Sequence, residues 1–173
     1  MDSRDLKKKI YKDSVSITHR HLLSVINTIV NEESALKNKP TIKILDAGCG
    51  DGNLTFFLNK YLPQFHKETT FELFGYDVKD HGVQPSGFTA LSIKKLRKEW
   101  PEINWEKRIR FISSKEPWPF ENNSFDIVIS NQVLEHVWDH NHFFFEQYRV
   151  LKEKGFSVHL FPVKEVMYDG HVF

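Results

Sequence analysis

The stretch ILDAGCGDGNLT, residues 44–55, decides the fold of this chain. An apolar run that begins at Ile42 leads into Asp46, three glycines then alternate with other residues at positions 48, 50 and 52, and apolar residues at helical spacing follow. This order predicts a strand, a tight turn and a helix. Glycine allows positive φ and a close approach of the backbone to a ligand, and the first turn of a helix offers unpaired N–H donors. The stretch therefore predicts a nucleotide-type binding loop.

The glycine spacing discriminates between ligands. A dinucleotide fingerprint, G-x-G-x-x-G, would require a third glycine at position 53, which is Asn53. The pattern D-x-G-x-G-x-G instead resembles the first motif of class I S-adenosylmethionine-dependent methyltransferases. A strand–helix turn that binds nothing is the alternative, and it is disfavoured because three glycines weaken a helix start unless a ligand approaches them.

Composition bounds the class of protein. The chain has 173 residues, a net charge of +1 and 40% hydrophobic residues, which fits one domain with a sizeable core. The near-neutral charge gives no general argument for binding nucleic acid or a membrane surface. The single cysteine, Cys49, excludes a disulfide within the chain and suits a reducing compartment. With no apolar stretch of signal or membrane length near the N-terminus, we expect a cytoplasmic protein. The oligomeric state stays open.

The N-terminal region reads as a helical cap, residues 1–40, before a cofactor-binding domain, residues 41–173. We expect a solvated, frayed end up to Lys12 and then a helix from Ser14 or Ser16 to about Leu36. Its predicted apolar face comprises Ile17, His21, Val25, Ile26, Ile29 and Val30. The family resemblance implies that this helix packs on the sheet and helps to cover the active site. His19 and His21 could face that cleft, although surface or packing roles are favoured.

Strands alternate with helices through the rest of the chain, which predicts an α/β parallel sheet. We expect strands at residues 42–46, 71–78, 110–112, 125–130 and 156–161. Helices are expected from the glycine loop to about residue 62, at 88–100, and from residue 134 to 151. By resemblance the fold is the Rossmann-like, three-layer α-β-α methyltransferase fold with strand order 3-2-1-4-5. That family has seven strands, so the resemblance predicts a truncated chain that lacks the last two.

Candidate cofactor-binding residues fall at the carboxyl ends of the predicted strands, where ligands bind in such sheets. Asp77 closes the second strand, and its carboxylate suits the two adjacent hydroxyls of a ribose; a strand-capping Asp is the alternative. In the resembled family an acidic residue after the third strand often receives the adenine amino group, and that position here is Ser114, which is a departure. The full predicted set is Asp46, Gly48, Cys49, Gly50, Gly52, Asp77, Ser114 and Asn131.

His136 is the candidate catalytic residue. A histidine titrates near neutral pH and can act as a general base, but a structural role at the start of the predicted helix is equally consistent. His136, Asp139, His140 and His142 match no strict ligand motif, so we expect no metal. The basic residues in 94–98 and 107–110 read as a solvated face rather than a nucleic-acid patch.

The resemblance implies an S-adenosylmethionine-dependent methyltransferase. The N-P-P-[YF] motif of methylation at adenine or amide nitrogen is absent, so we expect a small-molecule acceptor or one linked to a glycan or lipid, with no nucleic-acid or membrane partner. One alternative is a non-catalytic or degenerate domain that still binds the cofactor. Another is a nicotinamide-dependent oxidoreductase, which Asn53 disfavours.

Overall fold

A computed structural model describes residues 2–79 and 88–162, with the side chains of residues 88–92 excepted. The helices are α1 (Ser3–Asp13), α2 (Ile17–Glu32), α3 (Asn53–Phe65), α4 (Phe88–Glu99), α5 (Trp105–Arg108) and α6 (His140–Val150). The strands are β1 (Thr41–Ala47), β2 (Thr70–Val78), β3 (Ile109–Ile112), β4 (Phe125–Asn131) and β5 (Leu151–Leu160), and a 3₁₀ turn covers Leu134–His136. None of the described helices is both long enough and apolar enough to cross a membrane.

The five strands form one parallel sheet in the order β3-β2-β1-β4-β5, which confirms the predicted order. The central strand β1 pairs with β2 on one side and β4 on the other, with Ile44 opposite both Leu73 and Ile127. Because all strands run in the same direction, their carboxyl ends meet along one edge of the sheet. That edge receives the glycine loop, the end of β2 and the end of β4.

Helices cover both faces of the sheet, which confirms the three-layer architecture. Side chains of β1 alternate between the faces, as a strand requires: Ile42 and Ile44 pack with α1, α2 and α3, whereas Leu45 and Ala47 pack with residues of α6. A third cluster around Trp105 packs α4 and α5 near the β3 edge. The sequence-based assignment of β1 as a buried strand therefore holds on both of its faces.

The prediction of a frayed N-terminus was wrong. Residues 3–13 form α1, whose start is capped by Asp2 and whose Ile10 is buried in the core. The carboxylate of Asp13 accepts hydrogen bonds from Lys60 Nζ at 2.8 Å and from Tyr61 Oη at 2.7 Å, both on α3. The charged residues of this segment form the exposed face of α1. The burial of Ile10 and the hydrogen bonds to Asp13 hold the helix against the rest of the protein.

The predicted apolar face of α2 was also partly wrong. Ser16 caps the helix, as expected, but Ile17 is 72% exposed and His21 is exposed. The buried residues are His19, Leu22, Leu23, Ile26 and Val30. These positions follow a helical stripe, and only Ile26 and Val30 belonged to the predicted face. The helix ends at Glu32 rather than near Leu36.

Three further boundaries differ from the expectation. Pro63 lies inside α3, which continues to Phe65. The expected helix from residue 134 is divided into the 3₁₀ turn and α6, because the side chain of Asp139 caps a new helix by accepting the backbone N–H of His142 at 3.0 Å. Strand β5 starts at Leu151, directly after α6, and its pairing with β4 is irregular near Phe125. The chain beyond residue 162 lies outside the described residues.

A candidate cofactor site at the carboxyl ends of β1, β2 and β4

The glycine loop adopts a backbone conformation that favours glycine at all three positions. The φ angles are +77° at Gly48, +51° at Gly50 and +70° at Gly52, which precedes α3. These values lie in the left-handed region, where residues with a Cβ are strained. At Gly48 a Cβ would also come within 2.5 Å of Val133 Cγ2. The loop predicted from the glycine spacing is therefore present, and Gly48 has no space for a side chain.

The loop is fastened to the end of β2. The carbonyl of Tyr76 accepts hydrogen bonds from the N–H groups of Gly48 at 2.9 Å and Cys49 at 3.0 Å. The Oδ2 atom of Asp77 accepts the N–H of Gly50 at 2.6 Å. These bonds join β1 and β2 beyond the point where their ladder ends, so the loop and Asp77 form one unit.

Asp77 closes β2, as predicted, and is only 8% exposed. Its two oxygens accept N–H groups from Gly50 and, at 2.7 Å, from Val78. The carboxylate thus orders the loop, a structural role that goes beyond the strand-capping one weighed for it. Each oxygen keeps a second lone pair, so this role leaves capacity to accept a ligand hydroxyl.

Asp46 lies beneath the loop and is 1% exposed. The hydroxyl of Thr55 donates to its Oδ2 at 2.9 Å. Burial raises the pKa of Asp46 to about 7; the Thr55 hydrogen bond opposes this rise, and the nearby Asp77 and Asp51 add to it. The carboxyl is therefore shared between its protonated and ionised forms near neutral pH. Sequence reasoning missed Thr55, whose only signal is its place in the first turn of the helix after the loop.

Cys49 is a buried free thiol. Burial, with the neighbouring Asp46 and Asp77, raises the pKa of the thiol well above its usual value, so it stays protonated and is a poor nucleophile. Its side chain also fills the space beside Gly75, where an added Cβ would lie 2.8 Å from Cys49 Cβ. Cys49 therefore has a packing role in this structure.

A cavity of about 150 Å³ opens beside the loop. Its lining residues are His19, Asp46, Gly48, Cys49, Gly50, Asp51, Leu54 and Asn131. Two buried atoms at this cavity have no hydrogen-bond partner among the described residues, Asn131 Oδ1 and His19 Nδ1. Buried polar atoms are normally satisfied, and these two are available to bond a polar group that enters the cavity. The volume is below the roughly 300–1,000 Å³ of pockets for whole ligands, so this cavity accommodates one part of a cofactor.

The fit to S-adenosylmethionine is therefore favourable at the loop, at Asp77 and at the cavity. Other predicted residues lie apart. Ser114 is exposed in the segment that follows β3. His136 is exposed on the 3₁₀ turn after β4, and neither residue lines the cavity. The turn that carries His136 begins beside Val133, which covers Gly48, so His136 lies on the same edge of the sheet as the loop.

The other histidines near this turn contact backbone carbonyls. His140 Nε2 lies 3.0 Å from the carbonyl of Leu134, and His142 Nε2 lies 3.4 Å from that of Glu116. Within residues 2–79 and 88–162, no group of three or more His, Cys, Asp or Glu side chains is placed to hold a metal ion.

Sequence reasoning missed an ion pair between a buried carboxylate and a partly exposed arginine, which orders the segment between β3 and β4. Glu146 is 3% exposed, and it accepts the N–H of Trp118 at 2.6 Å and the guanidinium of Arg149 at 2.6 and 3.0 Å. Arg149 in turn donates to the carbonyls of Trp118 and Phe120. The hydrogen bond from Arg149 outweighs burial and lowers the pKa of Glu146. The pair places Trp118 against Tyr76, with ring centroids 4.5 Å apart, under the end of β2.

Comparison with known proteins identifies this arrangement. The Methyltransferase domain family matches residues 45–159, from β1 to β5. An uncharacterized methyltransferase of Schizosaccharomyces pombe is 33% identical over 119 residues, which cover 68% of this chain and 39% of that protein. This chain therefore spans well under half the length of that relative.

Solved structures share the fold at lower identity. The DszA carbon methyltransferase superposes with a TM-score of 0.62 at 17% identity, covering 88% of this chain and 38% of that one. A protein of Pyrococcus horikoshii gives a TM-score of 0.55 at 24% identity, covering 88% and 58%. Phosphoethanolamine N-methyltransferase 2 of Haemonchus contortus, in complex with S-adenosyl-L-methionine, gives 0.51 at 23% identity, covering 78% and 26%. The chain belongs to the methyltransferase domain family, whose cofactor is S-adenosylmethionine.

Proposed function

We propose that this chain binds S-adenosylmethionine at the carboxyl ends of β1, β2 and β4 and transfers its methyl group to a small-molecule acceptor, free or linked to a glycan or lipid. The observation that carries the proposal is the loop of three positive-φ glycines held between Asp46 and Asp77. Residues 41–173 form the cofactor-binding domain in this proposal, and residues 1–40 form its helical cap.

Each residue has a role that its position supports. Asp77 accepts the ribose hydroxyls with the lone pairs that Gly50 and Val78 leave open. The backbone of Gly48 and Gly50 approaches the cofactor closely, because neither residue has a side chain. The bound cofactor supplies a methyl group on a sulfonium, and the protein's contribution is to hold the acceptor in line with that carbon.

A base is needed only where the acceptor must lose a proton. His136 is the candidate, since it is exposed on the turn after β4 and can pass a proton to solvent. We expect His136→Asn to lower turnover about 10²–10⁴-fold and to leave cofactor affinity unchanged, because this side chain does not line the cavity. Turnover at saturating acceptor should be measured from pH 6 to 9. A wild-type rate across that range would assign His136 a structural role only.

The acceptor class rests on sequence and not on structural likeness. The solved neighbours are below 25% identity, and their names point to different acceptor atoms, carbon in one and nitrogen in another. Incubation of the protein with methyl-labelled cofactor and a metabolite extract tests the proposal. Label that appears only on RNA or protein would exclude the small-molecule class.

A cofactor-binding protein without turnover is the second candidate. It is favoured by Ser114, an exposed side chain where the resembled methyltransferases often carry an acid for adenine. The two candidates make the same prediction for binding and differ in catalysis. Binding without label transfer to any extract component would select the non-catalytic function.

Cofactor binding itself is tested by calorimetry with S-adenosylmethionine and S-adenosylhomocysteine. We expect Gly50→Val to abolish binding, because valine is strained at φ +51° and would obstruct the backbone that faces the cofactor. Thr28→Val, an exposed change on α2, is the control and should bind as the wild type does. Thermal unfolding of both variants establishes that they are folded. Binding of NAD in place of S-adenosylmethionine would overturn the proposal.

A further inference from the structure

The cavity beside the glycine loop lies on one side of the site. Asp77 is on β2, the loop follows β1, and Asn131 ends β4, so these three lie in sequence across the sheet. The cavity is lined from β1, β4, α2 and the start of α3, and no residue of β2 contributes. The cavity thus lies across the glycine loop from Asp77, where a cofactor bound by its ribose at Asp77 would place the end remote from the adenosine.

The residues that line the cavity favour a positively charged group at the end of the cofactor remote from the adenosine. Its two ionisable acids are Asp46 and Asp51, and the residues that line it include no lysine or arginine. The orphaned acceptor, Asn131 Oδ1, needs an N–H or O–H donor. An ammonium group presents three such donors and a positive charge, which complements both features.

His19 faces the same cavity from α2. It is 6% exposed, its Nδ1 has no partner among the described residues, and its ring packs on Phe57 with centroids 5.8 Å apart. Burial lowers the pKa of His19, more than the nearby Asp51 raises it, which favours the neutral ring. A neutral imidazole retains one acceptor nitrogen, which can be Nδ1.

We propose that His19 Nδ1 and Asn131 Oδ1 accept hydrogen bonds from the ammonium of the amino-acid end of S-adenosylmethionine. His19 lies before residues 45–159, the part matched by the family, and it reaches the site only because α2 docks on the sheet. The inference rests on the proposed function and adds a specificity residue from the N-terminal cap to it.

The test compares ligands that differ only at this end. S-Adenosylhomocysteine carries the amino-acid group, its deaminated analogue lacks the ammonium, and 5′-methylthioadenosine lacks the whole end. We expect His19→Phe, which keeps the contact with Phe57, to weaken binding of S-adenosylhomocysteine about 10–100-fold, the loss of a hydrogen bond to a charged group. Affinity for the other two ligands should stay within twofold. Calorimetry measures all three.

His66 provides a matched control. It also has a buried, unpartnered nitrogen, Nε2, it packs on Phe71 at 5.6 Å, and burial lowers its pKa, but it lies at the far end of α3. His66→Phe should change none of the three affinities. Asn131→Leu should reproduce the selective loss from the β4 side and provides a second test if His19→Phe does not fold.

The outcomes separate the two proposals. An equal loss for all three ligands, or no loss for S-adenosylhomocysteine, would overturn the role of His19 while leaving cofactor binding intact. A loss that persists with the deaminated analogue would assign His19 to the carboxylate and overturn the ammonium assignment. A wild-type protein that binds none of the ligands would overturn the proposed function itself, and this inference with it.

Discussion

Two buried carboxylates, near opposite ends of the adjacent strands β1 and β4, differ in the groups that surround them. Asp46 lies near the carboxyl end of β1 and is 1% exposed; Asp126 lies at the start of β4, the neighbouring strand, and is 2% exposed. Asp126 accepts hydrogen bonds from Lys39 at 2.6 Å, the N–H of Lys43 at 2.9 Å and Lys152 at 3.0 Å. Asp46 accepts one from the neutral Thr55 hydroxyl.

The surroundings shift the two pKa values in opposite directions. Burial by itself raises the pKa of each group. At Asp126 the hydrogen bonds from Lys39, the Lys43 amide and Lys152 together outweigh burial and lower the pKa, whereas at Asp46 burial dominates and brings the pKa to about 7. At Asp126 the carboxylate is matched by cations of the fold, as a purely structural group would be. Among the described residues no cation is placed beside the carboxylate of Asp46, which lines the cavity.

The largest effect is expected from Asp126→Ala. This change leaves the Lys43 N–H and two lysines without their buried acceptor, and breaking such a pair lowers the free energy of unfolding by about 3–5 kcal/mol. Urea unfolding at pH 7 measures it. Because the folded-state pKa of Asp126 is lowered, its contribution exists above the unfolded pKa and is lost as pH falls through the folded value. The difference between wild type and variant should therefore shrink below pH 4; a difference that persists there would contradict the ion-pair explanation.

Asp46→Asn should raise the free energy of unfolding, whereas Asp126→Ala lowers it. The folded-state pKa of about 7 lies above the ordinary value of 3.8, so the folded protein holds a proton that the unfolded chain has lost. Stability from this group is full below the unfolded pKa and declines as pH rises through 7. The asparagine has no charge to bury, so we expect it to be more stable than wild type by about 2–4 kcal/mol at pH 9.

The same pair of proteins should differ little near pH 4, where Asp46 is protonated in the folded state. Urea unfolding at pH 4, 7 and 9 measures the trend. Thr55→Val removes the hydroxyl that lowers the pKa of Asp46, so the decline in stability should extend to a higher pH than in wild type and the total loss should be larger. A difference between Asp46→Asn and wild type that is independent of pH would show that the carboxyl is not buried as an ionisable group.

The sequence predicts the surroundings of Asp46 much better than those of Asp126. Asp46, the glycine loop and Asp77 stand in a local pattern, strand then glycines then helix, whose spacing carries the chemistry and the family resemblance. Asp126 was seen only as part of a strand, because its partner Lys39 lies 87 positions away along the chain. Pairing across that distance depends on which strands become neighbours, and a single sequence shows this only through the resemblance.

The positions of His19 and α1 also depend on contacts between distant parts of the chain. The sequence of α2 is compatible with a buried face that includes either His21 or His19. The packing of α2 on α3, where His19 contacts Phe57, buries His19. The N-terminal segment has the composition of a free end, but its helix is held by Asp13 binding Lys60 and Tyr61, a contact between distant parts of the chain. Local patterns thus predicted the loop and most strands, whereas the cap and the polar networks depend on tertiary placement.

The smallest effect is expected from Lys152→Met, which sharpens the comparison by removing one of the two cations at Asp126. Lys152 is 31% exposed, so water screens its charge, and Lys39 still donates to the same carboxylate at 2.6 Å. We therefore expect a loss of at most about 1 kcal/mol in the free energy of unfolding, and a smaller loss in 0.5 M salt than in low salt. Lys154→Met, an exposed change on the same strand, is the control for removing a surface charge. Lys152→Met could instead lower the free energy of unfolding as much as Asp126→Ala does. In that case Lys39 by itself does not neutralise the carboxylate, and both lysines are required to keep the pKa of Asp126 below that of Asp46.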